Sequence, residues 1–311
     1  MDTNRFVIEV KKTPAKSDAK TRTGNFNEIY ADFTPTQASH QASRCAQCGV
    51  PFCQHGCPLS NNIPDWLRLT AEGRPQEAWE LSSATSTLPE ICGRICPQDR
   101  LCEGSCVLEQ SGWQNVTIGS VERYLGDMAF ENGWIEPIKP EVERAQSIGI
   151  IGAGPAGIAA ADRLRTLGYK VTIYDRYDRA GGLLVYGIPS FKLEKHVVAR
   201  RTDRLAASGV EYVLNCDIGN DISFEELREK HDAILIATGV YKGRALSVPG
   251  CGSKGVVAAL DHVGPPGLRL RSRAGRRGAS GCQGQDRCGH RWRRYRHGLR
   301  AHRHPPGRQV G

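Results

Sequence analysis

The chain has 311 residues, with 42 Lys and Arg against 33 Asp and Glu, so its formal net charge is +9. Charged residues make up 24% and apolar residues 39%, which excludes a collagen-like or bulk-disordered chain and allows roughly two domains. From Val263 to Gly311 there are 13 Arg, no Lys, no Glu and only Asp286, a net +12, which leaves 29 basic and 32 acidic residues, a net −3, over 1–262.

No stretch approaches the ~18–20 uninterrupted apolar residues of a membrane span. Met1 to Lys20 is polar and lacks an apolar h-region, so the expected location is cytoplasmic, with no membrane partner. Residues 1–40 read as a polar arm with little structure of its own. Residues 41–140 carry eight cysteines between helical segments, one opening near Pro64 and Asp65 and another over Gln76 to Leu81. Proline suits a helix start because its missing N–H has no partner there anyway. Glu136 to Arg144 reads as a linker.

From Ser147 the pattern changes to strand–helix alternation. Ile148 to Ile151 is a short apolar strand, and Pro155 to Leu167 a helix that stops at Gly168. Val171 to Tyr174 is a second strand, Leu193 to Ala207 a helix and Tyr212 to Leu214 a third strand. Ser223 and Glu226 form a capping box opening a short helix. Ala233 to Ile236 is a strand that runs into Ala237-Thr238-Gly239. The alternation predicts a mostly parallel sheet covered by helices over 145–262.

The cysteines fall in two groups: Cys45, Cys48, Cys53 and Cys57 before Pro58, then Cys92, Cys96, Cys102 and Cys106. Eight thiols in a chain without an export signal argue for metal rather than disulfides. Soft thiolates suit iron–sulfur clusters, and in two-cluster ferredoxins the cysteine before proline ligates the other cluster. That precedent assigns Cys45, Cys48 and Cys53 to one cluster and Cys57 to a second. Structural zinc is the alternative, but only Cys45 and Cys48 show the paired C-x2-C spacing. His55 reads as a loop histidine.

Gly152-Ala153-Gly154-Pro155-Ala156-Gly157 is G-x-G-x-x-G between a strand and a helix, with Asp175 at the end of the next strand. The glycines permit the tight turn, approach of a pyrophosphate and close helix–strand packing, and the acid holds a ribose hydroxyl. Gly181-Gly182-Leu183-Leu184 and Ala237-Thr238-Gly239 look like further signatures of two-dinucleotide flavoproteins, which favours FAD over NAD. Cys216 and Cys251 read as ordinary thiols.

Three runs carry a closer resemblance: Ile91 to Cys106 (ICGRICPQDRLCEGSC), Gly119 to Tyr124 (GSVERY) and Gly187 to Leu193 (GIPSFKL). They resemble the small-subunit family of NADPH-dependent glutamate synthase over about residues 25–262. The cysteine part is also similar to dihydropyrimidine dehydrogenase and to bifurcating ferredoxin–NADP oxidoreductase subunits. The resemblance implies an all-α, ferredoxin-like domain with two [4Fe-4S] clusters, followed by an incomplete Rossmann-type FAD domain. It implies that Cys45, Cys48, Cys53 and Cys106 hold one cluster. Cys57, Cys96 and Cys102 with Glu122 would hold the other, leaving Cys92 a non-ligand. One cluster on Cys92, Cys96, Cys102 and Cys106 stays open as the alternative. The FAD residues it implies are Gly152, Gly154, Pro155, Ala156, Gly157, Asp175, Gly182, Leu183, Thr238 and Gly239. The implied activity passes electrons from NADPH through FAD and the clusters to a large subunit that makes L-glutamate from glutamine and 2-oxoglutarate. No side chain in 1–262 is needed as a general base.

Residues 263–311 contain no Lys, Glu, Ile, Phe, Met, Thr or Asn, a composition poor in strand formers. A basic nucleic-acid arm, as part of a zinc protein, is one reading; a disordered linker is another. A displaced reading frame is favoured over both. Back-translated with permitted codons and read one nucleotide later, Asp286 to Gly311 gives a stretch beginning TVVVIGGGDTA, a strand and a G-x-G-x-x-A turn fit for NADPH. The expectation is a truncated, inactive chain with a disordered tail and no nucleic-acid partner.

Overall fold

The computed structural model describes residues 3–241, 243, 247–253 and 256. The expectations for 263–311, with Cys282 and Cys288, lie outside these residues.

The N-terminal segment was expected to have little structure of its own. It carries a 3-10 turn at Arg5–Val7 and helices α1 (Ala19–Gly24) and α2 (Pro35–Ala42). Its polar composition hides how it is held: Phe33, Ala38 and Ala42 enter the apolar core, and hydrogen bonds from Gln41 anchor the stretch before α1. Gln41 takes the Lys12 amide at 2.8 Å and gives a bond to the Val10 carbonyl at 3.1 Å. Thr34 and Gln37 close a capping box at the start of α2.

A helical layer follows: α3 (Phe52–His55), α4 (Ile63–Ala71), α5 (Pro75–Ser83), α6 (Pro89–Ile95), α7 (Val107–Gln110) and α8 (Ile118–Glu131). In α4, α5 and α6 a proline occupies the first turn, where no backbone partner is lost. Along α8, Ile118, Val121, Leu125 and Ala129 form one buried stripe at helical spacing. Fully burying a side chain such as Leu125 contributes roughly 1.5–3 kcal/mol. The core around them holds Phe33, Trp66 and Leu67, and it also takes in Cys45, Cys102 and Cys106. α6 crosses α8 closely at Gly93, where a Cβ would meet the Arg123 amide and the Gly119 carbonyl.

Residues 132–146, which include the stretch Glu136 to Arg144 read as a linker, carry no helix or strand. Then come β1 (Ser147–Ile151), α9 (Pro155–Thr166), β2 (Lys170–Asp175), α10 (Leu183–Tyr186), α11 (Lys195–Ala207), β3 (Glu211–Leu214), α12 (Phe224–Lys230) and β4 (Ala233–Ile236). The strands form one parallel sheet in the order β3-β2-β1-β4. β1 is flanked by β2 on one side and β4 on the other, so the chain order reverses at its C-terminal end. That reversal opens the crevice where α/β sheets bind ligands. The Ser223–Glu226 capping box is closed in both directions.

Candidate functional site

The glycine turn leaves β1 with Gly152 at φ +113°, a conformation costly for any residue with a Cβ. A Cβ at Gly152 would also overlap the Ala237 carbonyl, and one at Gly157 would overlap the Gly152 carbonyl. Gly154 differs, because nothing lies within 4 Å of the place its Cβ would take. The turn is therefore tight on its inner side and open where α9 begins, with Pro155 and Ala156 in the helix's first turn. Backbone N–H groups at that helix start favour an anion.

Asp175, at the end of β2, faces this turn. One carboxylate oxygen accepts the Ala153 amide at 2.7 Å and the other the Tyr177 amide at 2.9 Å. The loop before α10 closes from the far side. The Gly181 amide donates to the Ala153 carbonyl at 2.7 Å, and Gly182 (φ +52°) packs against Gly154 ahead of Leu183. A cavity of about 320 Å³ is lined by Gly152, Asp175, Arg176, Cys216, Thr238 and Tyr241. Arg176 stacks on the Tyr241 ring at 4.2 Å, forming one wall. Gly239 continues from Thr238 with φ +75°. The structure thus gathers Gly152, Gly154, Gly157, Asp175 and Gly182 around one turn and brings Thr238 to the same crevice.

The cysteines sort into two groups that do not follow chain order. Cys45, Cys48, Cys53 and Cys106 line one small apolar pocket. Burial pushes the Cys45 thiol up to about 11 and Cys53 up to about 12, with the neighbouring thiols adding to both. Cys96 instead lies within electrostatic reach of Glu122, Cys102 and Cys57. Burial raises Cys102, and Glu103, Glu122 and Cys57 raise it further. Burial also holds the Glu122 carboxyl well above the usual carboxylate range. Cys92 and Cys96 sit one helical turn apart, close enough for hydrogen bonding between the two thiols to shift both. That bond raises Cys92 and lowers Cys96; burial opposes it at Cys96. The Cys92 sulfur also meets the Ser86 hydroxyl at 3.7 Å.

No group of three or more His, Cys, Asp or Glu among the described residues is arranged to hold a single metal ion. A cubane cluster spreads its ligands over separate corners, and the donor chemistry of both groups suits iron–sulfur. Sequence reasoning missed Arg44, which is 1% exposed. It donates to the carbonyls of Glu9, Trp113, Gln114 and Asn115 at 2.7–2.9 Å. This cage fixes the backbone beside Cys45. A basic residue next to the first cysteine was the only signal, and its carbonyl partners lie far away in sequence.

A parallel sheet with this turn, joined to a helical domain with two thiol groups, combines the layouts of two families, one named for a 4Fe-4S cluster and one for pyridine nucleotide oxidoreductases. The family described as "Dihydroprymidine dehydrogenase domain II, 4Fe-4S cluster" matches residues 22–134. "Pyridine nucleotide-disulphide oxidoreductase" matches residues 146–272. A glutamate synthase [NADPH] small chain of Azospirillum brasilense is 60% identical over 258 residues, covering 83% of this chain and 54% of the relative. The Escherichia coli glutamate synthase [NADPH] small chain is 45% identical, covering 83% and 55%. The putative oxidoreductase AegA of Escherichia coli is 44% identical, covering 83% and 40%. The chain is similar to the glutamate synthase [NADPH] small chains and spans about half the length of those it matches. No described helix is long and apolar enough to cross a membrane.

Proposed function

We propose that this chain is the electron-transfer part of an NADPH-dependent glutamate synthase small subunit. The supporting observation is the pairing, on one chain, of two converging thiol groups with a glycine turn braced by an acid. Cys45, Cys48, Cys53 and Cys106 would hold one [4Fe-4S] cluster. Cys57, Cys96, Cys102 and Glu122 would hold a second. FAD, when bound, supplies the conversion of a two-electron donor to one-electron acceptors. The chain's own residues position it. The amides at the start of α9 would hold its pyrophosphate, with Gly154 leaving room for close approach. Asp175 would take a ribose hydroxyl, and Gly182 and Leu183 would lie against the cofactor. The electrons would leave to a large subunit that forms L-glutamate, in the cytoplasm and without nucleic acid.

The composition of 263–311 further supports a displaced reading frame, so that this chain does not oxidise NADPH by itself. Resequencing the gene tests that; an intact frame recurring in independent isolates would end it. The cofactor reading is tested by anaerobic reconstitution with iron, sulfide and FAD. The expected product is brown and yellow, with about eight iron atoms per chain and one flavin. A colourless protein holding zinc would overturn it. The likeness to AegA and to the dehydrogenase domain favours a second reading, an oxidoreductase subunit with another electron acceptor. Co-purification of the partner separates the two.

A further inference from the structure

Between the helical layer and the sheet layer lies a group of charges that the cofactor sites do not use. Glu90 of α6 and Arg201 of α11 are 111 residues apart in sequence and meet as a two-bond fork, both bonds 2.7 Å. The Glu90 side chain is 0% exposed and that of Arg201 is 6%. Beside them Asp127 of α8 accepts from Arg94 of α6 at 2.7 Å and from Arg200 of α11. Glu28, from the N-terminal segment, takes Arg94 and Arg123 at 3.0 Å each. Asp32 pairs with Arg123, so four acids meet four arginines with no net charge left over. The Arg200 and Arg201 guanidinium groups also lie over the Phe130 ring, at 4.1 and 4.7 Å.

Buried ion pairs are weak stabilisers, because desolvation offsets most of their attraction. Apolar contact holds a layer together as well, but it is non-directional. A bidentate fork adds orientation. The places it joins are the ones that matter for electron flow. α6 stops at Ile95, next to Cys96, and α8 carries Glu122, while Val198 of α11 packs where a Cβ at Gly181 would lie, beside Gly182. At α9, which opens from the glycine turn, Arg163 donates to the Ala84 carbonyl at 2.6 Å, a second tie between the layers.

We propose that Glu90 and Arg201 are positioning residues that set the dinucleotide turn against the Cys57–Cys96–Cys102 group for electron transfer. The proposal rests on the cofactor reading given above. A reduced flavin in its anionic form (FADH−) would give up two electrons, one to each oxidised cluster, and its single N5 proton to water.

The test compares the reconstituted chain with its Glu90→Met/Arg201→Met variant, which replaces the fork by apolar groups and leaves no lone buried charge. Flavin is photoreduced anaerobically and cluster bleaching is followed by stopped flow. The variant is expected to keep the wild-type melting temperature, iron and flavin content. Electron passage is expected to slow by about tenfold, since small misplacements of a positioned pair are costly. Amide exchange over residues 136–146, the stretch between the layers, is expected to quicken in the same variant. Wild-type electron passage in a fully loaded variant would overturn the proposal. A chain that takes up no flavin or iron sinks the cofactor reading instead. The exchange measurement, made without cofactors, then decides the clamp alone, and unchanged exchange refutes it.

Discussion

Asp175 offers the sharpest test of the dinucleotide site, because it acts on the turn before any ligand arrives. Its two oxygens accept the amides of Ala153 and Tyr177 at 2.7 and 2.9 Å, holding the turn after β1 and the bend after β2 together. In Asp175→Asn one oxygen remains to accept, while the new NH2 group faces an N–H donor. One charge-assisted bond is lost, worth about 1.5–3 kcal/mol, and a donor is left half-buried without a partner. The unfolding free energy should therefore fall by about 2–3 kcal/mol even without flavin. FAD loses the same brace and its ribose acceptor. At about 1.4 kcal/mol per tenfold, the dissociation constant should rise by about 10- to 100-fold. Urea titration of the flavin-free chain gives the first number, and quenching of flavin fluorescence gives the second. An Asp175→Asn chain with unchanged stability and unchanged flavin affinity would refute the reasoning, because neither the brace nor the ribose contact would then exist.

Gly157→Ala should lower FAD retention sharply, since its Cβ would overlap the Gly152 carbonyl and push α9 off the turn; flavin content after gel filtration reads this. Cys92→Ala should keep the full iron content, whereas Cys96→Ala should lose about four iron atoms, one cluster's worth. Acid stability should depend on Asp127 and Glu28 in opposite senses. Burial works against the Asp127 charge, but Arg94 and Arg200 outweigh it and hold its carboxyl below the usual range. Its contribution is therefore present above the unfolded value of 3.8 and fades as pH drops below that. Glu28 is raised, because burial outweighs Arg94 and Arg123, so what it contributes is lost as pH rises through its folded value, above 4.5. Melting curves of Asp127→Asn should flatten below pH 3.8, and Glu28→Gln should cost less than Asp127→Asn at pH 7. Equal costs for the two substitutions would contradict this.

Much of the sheet layer was legible because its signals are local. A glycine turn, a strand of branched residues and an S-x-x-E cap each act within a few residues of themselves. The span Ala233–Ile236 and the start of α9 at Pro155 coincide with the sequence reading for that reason. Spacing set Cys57 apart from Cys45, Cys48 and Cys53, but it tempts Cys92 and Cys106 into one group, so the rest of the sorting was not legible from it. It came from resemblance, and the fold separates the two by placing Cys106 beside Cys45, Cys48 and Cys53. Long-range polar pairs left no trace at all. Arg44 finds carbonyls about 70 residues away, and Glu90 finds Arg201 across two layers. Nothing in the periodicity of either helix marks such a partner. The N-terminal segment shows the same limit: Gln41 holds its backbone at Val10 and Lys12, and Phe33 and Ala38 pack into a core whose other members lie far along the chain.

Crossing the cysteines has a consequence for what iron does to this fold. Each proposed ligand set joins segments far apart in the chain, Cys53 to Cys106 in one and Cys57 to Glu122 in the other. A cross-link between distant segments restricts the unfolded chain more than one between near segments. Cys45, Cys53, Cys57, Cys102 and Cys106 lie in or against the apolar core with Phe33, Trp66 and Leu67, where uncharged sulfur packs as a small hydrophobe. Two effects of removing iron should therefore separate. Helical structure should persist, because α4, α6 and α8 bury their apolar faces with or without metal. Resistance to unfolding should fall, because the long loops are open again. Chelation of the reconstituted chain under reducing conditions, followed by circular dichroism and a melting curve, distinguishes them. Loss of the helical signal on chelation would mean that the clusters build this layer rather than fasten it.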